Sequence, residues 1–226
     1  MAGMGDSLTR QSEGEVMDSP AEAQAYARAD FSQVNQLFVD RLLELAGNAP
    51  ALAALDLGTG PADIPIRLAR LRADWLITAI DASEAMLGLA RQAVAAAALE
   101  GRICLLQRDA KKTSLPGGSF DVIFSNSILH HVANALELWR EIRRLARPGA
   151  LVFMRDLFRP PTAKRAADIV AAYASSETPL LQEEYYRSLL AAYTPEEIVQ
   201  QLRQAKLPLE VKTVSDRHVD VFGRLA

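Results

Sequence analysis

Two kinds of hydrophobic pattern alternate along this chain. Residues 51–57 are almost wholly apolar, as a strand buried on both faces must be. Ile64, Ile66, Leu68, Ala69 and Leu71 then recur at helical spacing. Further apolar runs at 75–80, 103–106, 122–124 and 151–154 predict more strands, and residues 83–99 and 133–146 carry helical periods. Strands alternating with helices imply βαβ units and a parallel sheet with helices on both faces, so the fold class is α/β and Rossmann-like.

The flanks follow other patterns. Residues 1–20 contain Gly, Ser and acids without periodicity and predict a flexible tail. From Ala21 a helical pattern places Ala25, Phe31, Val34, Leu37, Phe38, Leu42 and Leu45 on or near one face and ends near Gly47 and Asn48. Residues 163–202 are helical in texture apart from Thr178-Pro179 and Thr194-Pro195. The second of these pairs is a helix start, with a cap residue, Pro at the first position and Glu196 and Glu197 in the first turn. Residues 208–215 and 217–222 predict a hairpin turning at Ser215-Asp216, with His218 as a strand surface residue. No repeat or second domain interrupts 21–226, which reads as one domain with 157–206 inserted as a helical lid.

The chemistry collects at strand ends. Leu55 to Ala62 reads Leu-Asp-Leu-Gly-Thr-Gly-Pro-Ala, which places Gly58 and Gly60 on a strand-to-helix turn where backbone must approach a ligand closely. A dinucleotide loop wants a third glycine at Asp63 and bare helix N–H groups facing a diphosphate. Pro61 removes one donor and Asp63 adds a carboxylate, so the loop disfavours phosphate and an NAD-dependent reading. A cationic ligand without phosphate suits it better. Asp56, Asp81, Asp109, Asn126 and Asp156 all follow apolar runs and would crowd the carboxyl edge of the sheet, where ligands bind in such folds.

With these motifs the chain resembles the class I S-adenosylmethionine-dependent methyltransferases, from about Ala51 to the C-terminus. Asp56-Leu57-Gly58-Thr59-Gly60 is similar to the family's D/E-x-G-x-G loop, with Ala62 where a third Gly often stands. Asp81 to Leu87 resembles the second-strand motif, Arg108-Asp109-Ala110 the third, and Phe120 to His131 the fourth. Arg147-Pro148-Gly149 looks like the turn into strand five, with Ala150 in place of a second Gly. The texture is similar to the small-molecule branch that includes the ubiquinone/menaquinone methyltransferases. The resemblance implies a seven-stranded, mostly parallel sheet whose last strand is antiparallel, and S-adenosylmethionine as cofactor. It further implies that Asp81 chelates the ribose hydroxyls, Ala82 and Met86 flank the adenine, and Asp109 and Ala110 meet the adenine edge. Asp56, Gly58, Thr59, Gly60, Asn126 and Ser127 complete the cofactor set. His130 and His131, on the loop that borders the transferred methyl, are the catalytic candidates. The adjacent pair is expected to diverge, with His130 facing the pocket. Tyr26, Asp156, Tyr185 and Tyr186 are substrate candidates on the N-terminal helix, strand five and the lid.

Composition narrows the partners. Half the residues are hydrophobic, and the formal charge is −3, which gives no overall basic footprint for nucleic acid. Arg140, Arg143, Arg144 and Arg147 form a helical stripe that reads as a solvated face complementing a helix C-terminus. The single Cys104, inside an apolar run, excludes internal disulfides and makes a thiol nucleophile improbable. With three histidines and one cysteine, a His/Cys zinc site is not expected. No signal-peptide pattern and no bilayer-length apolar run is present, so a cytoplasmic enzyme acting on a small-molecule acceptor is expected. The competing reading is a non-catalytic cofactor-binding or partner-binding module on the same fold.

Overall fold

The computed structural model describes residues 8–14, 19, 23, 29–48 and 52–225. Seven strands form one sheet in the order β3-β2-β1-β4-β5-β7-β6. They are β1 (Ala53–Leu57), β2 (Leu76–Asp81), β3 (Ile103–Gln107), β4 (Phe120–Asn126), β5 (Ala146–Leu157), β6 (Glu210–Thr213) and β7 (His218–Arg224). Strands β1 to β5 pair in parallel, and β7 runs antiparallel between β5 and β6. The chain steps from β1 outward to β2 and β3 and then returns to β4 on the other side. That reversal opens a crevice beyond the carboxyl ends of β1 and β4.

Alternating strand residues feed two cores. Leu55, Leu57, Ile123, Val152 and Met154 meet the helices α4 (Ala135–Leu145) and α7 (Pro195–Ala205) through Trp139, Ile142, Ile198 and Leu202. Ala54, Val122, Phe124, Leu151 and Phe153 face the opposite layer, formed by α1 (Ser32–Ala46), α2 (Asp63–Leu71) and α3 (Glu84–Ala96). Burial on both faces accounts for the unbroken apolar runs. Between β5 and β6 the chain forms α5 (Ala163–Tyr173), α6 (Pro179–Ala191) and α7, the segment expected to act as a lid. Each starts at a threonine whose hydroxyl accepts an N–H of the first turn: Thr162, Thr178 and Thr194. Such caps are typically worth about 1 kcal/mol each. Thr194 and Glu197 complete a reciprocal capping box.

Three expectations change. Residues 8–14 of the anticipated tail are docked: the Leu8 and Gln11 N–H groups donate to Pro161 O and Leu190 O, and Arg159 donates to Leu8 O. Val34 and Leu37 are exposed, because the buried stripe of α1 runs through Phe38, Val39, Leu42 and Ala46. Cys104 is exposed rather than enclosed, because β3 is an edge strand. The arginine stripe is structural in large part. Arg144 forks onto Glu141, Arg147 pairs with Asp121, and Arg143 donates to Ala205 O.

Candidate active site

The loop after β1 is folded back onto β2. The N–H groups of Gly58 and Thr59 both donate to Ile80 O at 2.9 Å, and the Gly60 N–H donates to Asp81 Oδ2 at 2.8 Å. Gly58 has φ +72°, and a Cβ there would stand 2.9 Å from Ile128 Cδ1 on the loop leaving β4. Glycine is therefore required twice over at this position, by backbone conformation and by space. The Ser83 N–H donates to the other oxygen of Asp81, leaving each oxygen further lone pairs directed at the crevice. Met86 is buried one turn into α3, where its N–H is capped by Ser83 Oγ.

Electrostatically Asp56 and Asp81 stand apart from Asp109, which is paired with Lys111 at 3.1 Å. Burial pushes the Asp56 carboxyl up to about 7, and the charge of Asp81 adds to the rise while Thr59 partly offsets it. Burial also raises Asp81, against backbone donors from Ser83, Gly60 and Ala82 and the nearby His131. Among the described residues no lysine or arginine pairs with either acid. A ligand carrying a sulfonium and an ammonium relieves that arrangement, and a diphosphate aggravates it. Asp63, by contrast, is met by Arg67 at 2.7 Å and by Asn35, so its part in repelling phosphate is smaller than the sequence suggests. At the third strand Asp109 is exposed and accepts the Lys111 N–H, while Ala110 is buried.

The other half of the crevice is built by β4 and β5. Asn126 ends β4 opposite Arg155. Ser127 turns through φ +63°, and its N–H donates to Arg155 O. A single 3-10 turn, Leu129–His131, follows. Asp156, next along β5, reaches under it: Oδ2 accepts the Leu129 N–H at 2.6 Å, and Oδ1 lies 2.5 Å from His130 Nδ1 while also accepting the Leu157 N–H. The carboxylate is buried and its oxygens are engaged by Leu129, His130 and Leu157, which places it to orient His130. In the neutral ring, an Nδ1–H donated to Asp156 leaves the lone pair on Nε2. Burial lowers the His130 pKa, but the charges of Asp156 and Glu13 more than offset it and the net shift is upward.

The residues that complete this region come from the docked N-terminal strap, 8–14. Arg10 Nη2 donates to His130 O and Val132 O at 3.0 and 3.1 Å, and its guanidinium lies 4.0 Å over the Tyr193 ring. The Tyr193 hydroxyl reaches Val132 O and Ala133 O. The loop carrying the histidines is thus held through its carbonyls. Glu13 Oε1 stands 3.6 Å from His130 Nε2 and 3.0 Å from His131 Nδ1, and Glu13 accepts from Ser188 Oγ on α6. Both imidazoles therefore turn toward one point, with ring centroids 4.2 Å apart, whereas divergence was expected.

Asp56, Gly58, Thr59, Gly60, Asp81, Asn126, Ser127, His130 and His131 all lie at the carboxyl edge of the sheet, where Gly60 bonds to Asp81 and Gly58 packs against Ile128 on the loop that leads to the histidines. Tyr185 and Tyr186 do not join them. They pack on the lid cluster of Leu157, Ala166, Ile169 and Leu189, and burial pushes the Tyr185 hydroxyl up to about 12 beside Arg217 and Asp216. Tyr26 lies outside the described residues. Arg10 and Glu13 carry no local motif, and sequence reasoning missed them.

A seven-stranded α/β sheet with an acidic, phosphate-averse glycine loop at its switch point defines a nucleoside-cofactor enzyme of the methyltransferase type. A family model described as a methyltransferase domain matches residues 55–154. The ubiquinone biosynthesis O-methyltransferase of Xanthomonas oryzae pv. oryzae is 31% identical over 179 residues, 76% of this chain and 68% of that protein. The 27-O-demethylrifamycin SV methyltransferase of Amycolatopsis mediterranei is 31% identical over 121 residues, 52% of this chain, and the match spans 44% of that enzyme's length. A SAM-dependent methyltransferase from Aquifex aeolicus shares the fold with a TM-score of 0.68 at 20% identity, covering 92% of this chain and 99% of that one. The chain belongs to the class I S-adenosylmethionine-dependent methyltransferases. Its cofactor is S-adenosylmethionine.

Proposed function

We propose that the chain transfers a methyl group to a hydroxyl oxygen of a small-molecule acceptor, with His130 taking the hydroxyl proton and Asp156 positioning His130. The observation that carries this reading is the buried Asp156–His130 pair on the 3-10 turn after β4, two residues from Ile128, which packs against Gly58 of the glycine loop. A base is required only where the acceptor arrives protonated, as a hydroxyl does. Both curated relatives above are named for O-methylation, which supports oxygen as the acceptor atom.

When bound, the cofactor supplies an electrophilic methyl group on sulfur. The protein's work is to place an oxygen in line with it and to receive one proton. Alignment of this kind is worth effective molarities of roughly 10⁵–10⁸ M. In this reading Asp81 holds the ribose hydroxyls, Ala82 and Met86 flank the adenine, and Asp109 with Ala110 meets its edge. Asp56, Gly58, Thr59, Gly60, Asn126 and Ser127 line the methionine side, and His131 borders the acceptor. The 21–226 unit acts in the cytoplasm without a nucleic-acid partner. No helix of the described residues is long and apolar enough to cross a membrane.

The test is methyl transfer from labelled cofactor to a panel of phenols, enols, amines and thiols. Transfer confined to hydroxylated acceptors, lost in His130→Ala while S-adenosylhomocysteine still binds, is the expected result. Transfer only to amines or thiols, or full turnover without His130, overturns it. No transfer to any acceptor, with the homocysteine product still bound, favours the non-catalytic module.

A further inference from the structure

Three side-chain atoms able to bind a metal converge above the 3-10 turn. Glu13 Oε1 is 3.0 Å from His131 Nδ1 and 3.6 Å from His130 Nε2, and the three ligand atoms all lie within 4.8 Å of one another. Metal–ligand bonds of 2.0–2.2 Å place neighbouring donors of a tetrahedral site about 3.4 Å apart, a value bracketed by the two separations from Glu13. The two nitrogens lie within 4.8 Å of each other, and the His131 ring is the more exposed of the two. His131 Nδ1 is a buried atom that makes no aligned hydrogen bond among the described residues, although Glu13 lies close.

The surroundings have the form that metal sites require. Asp156 holds Nδ1 of His130, which is the carboxylate–histidine arrangement that fixes a ligating imidazole and raises its basicity. Ser188 Oγ donates to the Glu13 carboxylate, steadying the third ligand. Two imidazoles and one carboxylate suit a borderline divalent ion such as zinc, whereas Mg²⁺ and Ca²⁺ prefer an all-oxygen shell.

We propose that Glu13, His130 and His131 form a binding site for a divalent transition metal, with zinc as the reference ion, that fastens the N-terminal strap over the acceptor side of the crevice. Because Glu13 belongs to the strap and the histidines to the catalytic loop, one ion ties the two together. Coordination at Nε2 occupies the lone pair that would take the acceptor's proton, so the metal-bound form is closed and inactive. Only that last consequence rests on His130 being the proton acceptor; the binding itself does not.

The experiment titrates the metal-free full chain with Zn²⁺ against a chromogenic chelator, without cofactor or acceptor, and repeats the titration with Co²⁺ to read its d–d absorption. Expected are one equivalent bound, a tetrahedral Co²⁺ spectrum, and slower hydrogen exchange at residues 8–14 on adding Zn²⁺. Glu13→Gln and His131→Gln, which keep shape and lose a ligand, should each weaken binding at least about 100-fold, more than the 10–100-fold typical of a supporting residue. Absence of stoichiometric binding, or unchanged affinity in both variants, overturns the proposal. Unchanged exchange at 8–14 despite tight binding overturns the fastening. If metal binds as described but activity is insensitive to it, the metal site stands and the role of His130 as proton acceptor falls.

Discussion

Twenty-one positions separate Gly60 from the Asp81 carboxylate it bonds, whereas 120 separate Arg10 from the His130 carbonyl it holds. The cofactor edge is a local construction: one strand–turn–helix folds its glycines onto the end of the next strand, and its acids sit where β1 and β2 leave the core. The acceptor side is assembled from the N-terminal strap, the exit of β4, the end of β5 and helix α6. Local turn chemistry fixes the first, and only the completed fold fixes the second. A cradle for a constant cofactor can be written in one short motif, while the acceptor side draws on segments free to vary independently.

If the two sides are separable, the largest effect falls on turnover alone. His130→Ala should lower methyl transfer by roughly 10²–10⁴-fold, as loss of a general base does, with affinity for S-adenosylhomocysteine unchanged. Asp156→Asn, which keeps the shape but disturbs the tautomer, should follow it in the same direction. A parallel loss of cofactor affinity in either variant would mean that the 3-10 turn supports both sides, a coupling already hinted at where Ile128 leans on Gly58.

The mirror experiment is Asp81→Ala. Two backbone donors and the ribose lose a charged acceptor, and hydrogen bonds to charged groups are worth about 1.5–3 kcal/mol each. A loss of about 3 kcal/mol, more than a hundredfold in calorimetric affinity for S-adenosylhomocysteine, is expected. Unchanged affinity would place the ribose elsewhere.

Legibility follows the same division. The strands, the helical texture of 163–202 and the Thr194 cap could be read from the sequence because period and cap chemistry are properties of neighbouring residues, whereas Thr162 and Thr178 were not read as caps. The turn through Gly58 and Gly60 and its place next to Asp81 were legible for the same reason. Asp156 was seen as a strand-end acid, but its contact with His130 was not, since His130 lies on an adjacent strand's loop and sequence gives no pairing. Tyr185 and Tyr186 were placed at the acceptor because lid aromatics suit one, yet the apolar end of β5 and α5 offered them burial. Glu13 and Arg10 had no signal: a strap without periodicity looks the same whether docked or free.

Stability against pH separates the two sides further. Asp56 titrates near 7 in the folded chain against an ordinary value of 3.8. The folded state therefore holds a proton that the unfolded state releases, and the associated stability is full below about pH 4 and is lost as pH rises through 7. Asp56→Asn should flatten that slope and leave the cofactor-free protein more stable than wild type at pH 8. About 2 kcal/mol is expected, less than the full shift implies because the loop can relax toward water. Saturating S-adenosylmethionine should flatten the wild-type slope too, since its positive charge favours the carboxylate. Thermal melts at pH 5 and pH 8, with and without cofactor, read both effects. A slope that persists in Asp56→Asn would assign it to another group.

The smallest effect tests whether the strap is part of the acceptor side at all. Arg10 touches no reacting atom; it holds the carbonyls of His130 and Val132 and lies on Tyr193, so it is a positioning residue. Arg10→Ala removes these contacts, and the loop still has the Tyr193 hydroxyl on Val132 O and Ala133 O. A fall in kcat of about tenfold, or about 1.4 kcal/mol in the barrier, is expected from a slightly misplaced base. KM for cofactor should not move. Arg10→Lys keeps the charge but cannot reproduce a guanidinium that donates to three carbonyls, with Ala191 O the third, so it should rescue little. Full rescue by lysine would show that only charge matters there. An unaltered kcat in Arg10→Ala would show that Asp156 and the 3-10 turn hold the base unaided, and the strap would then belong to the lid alone.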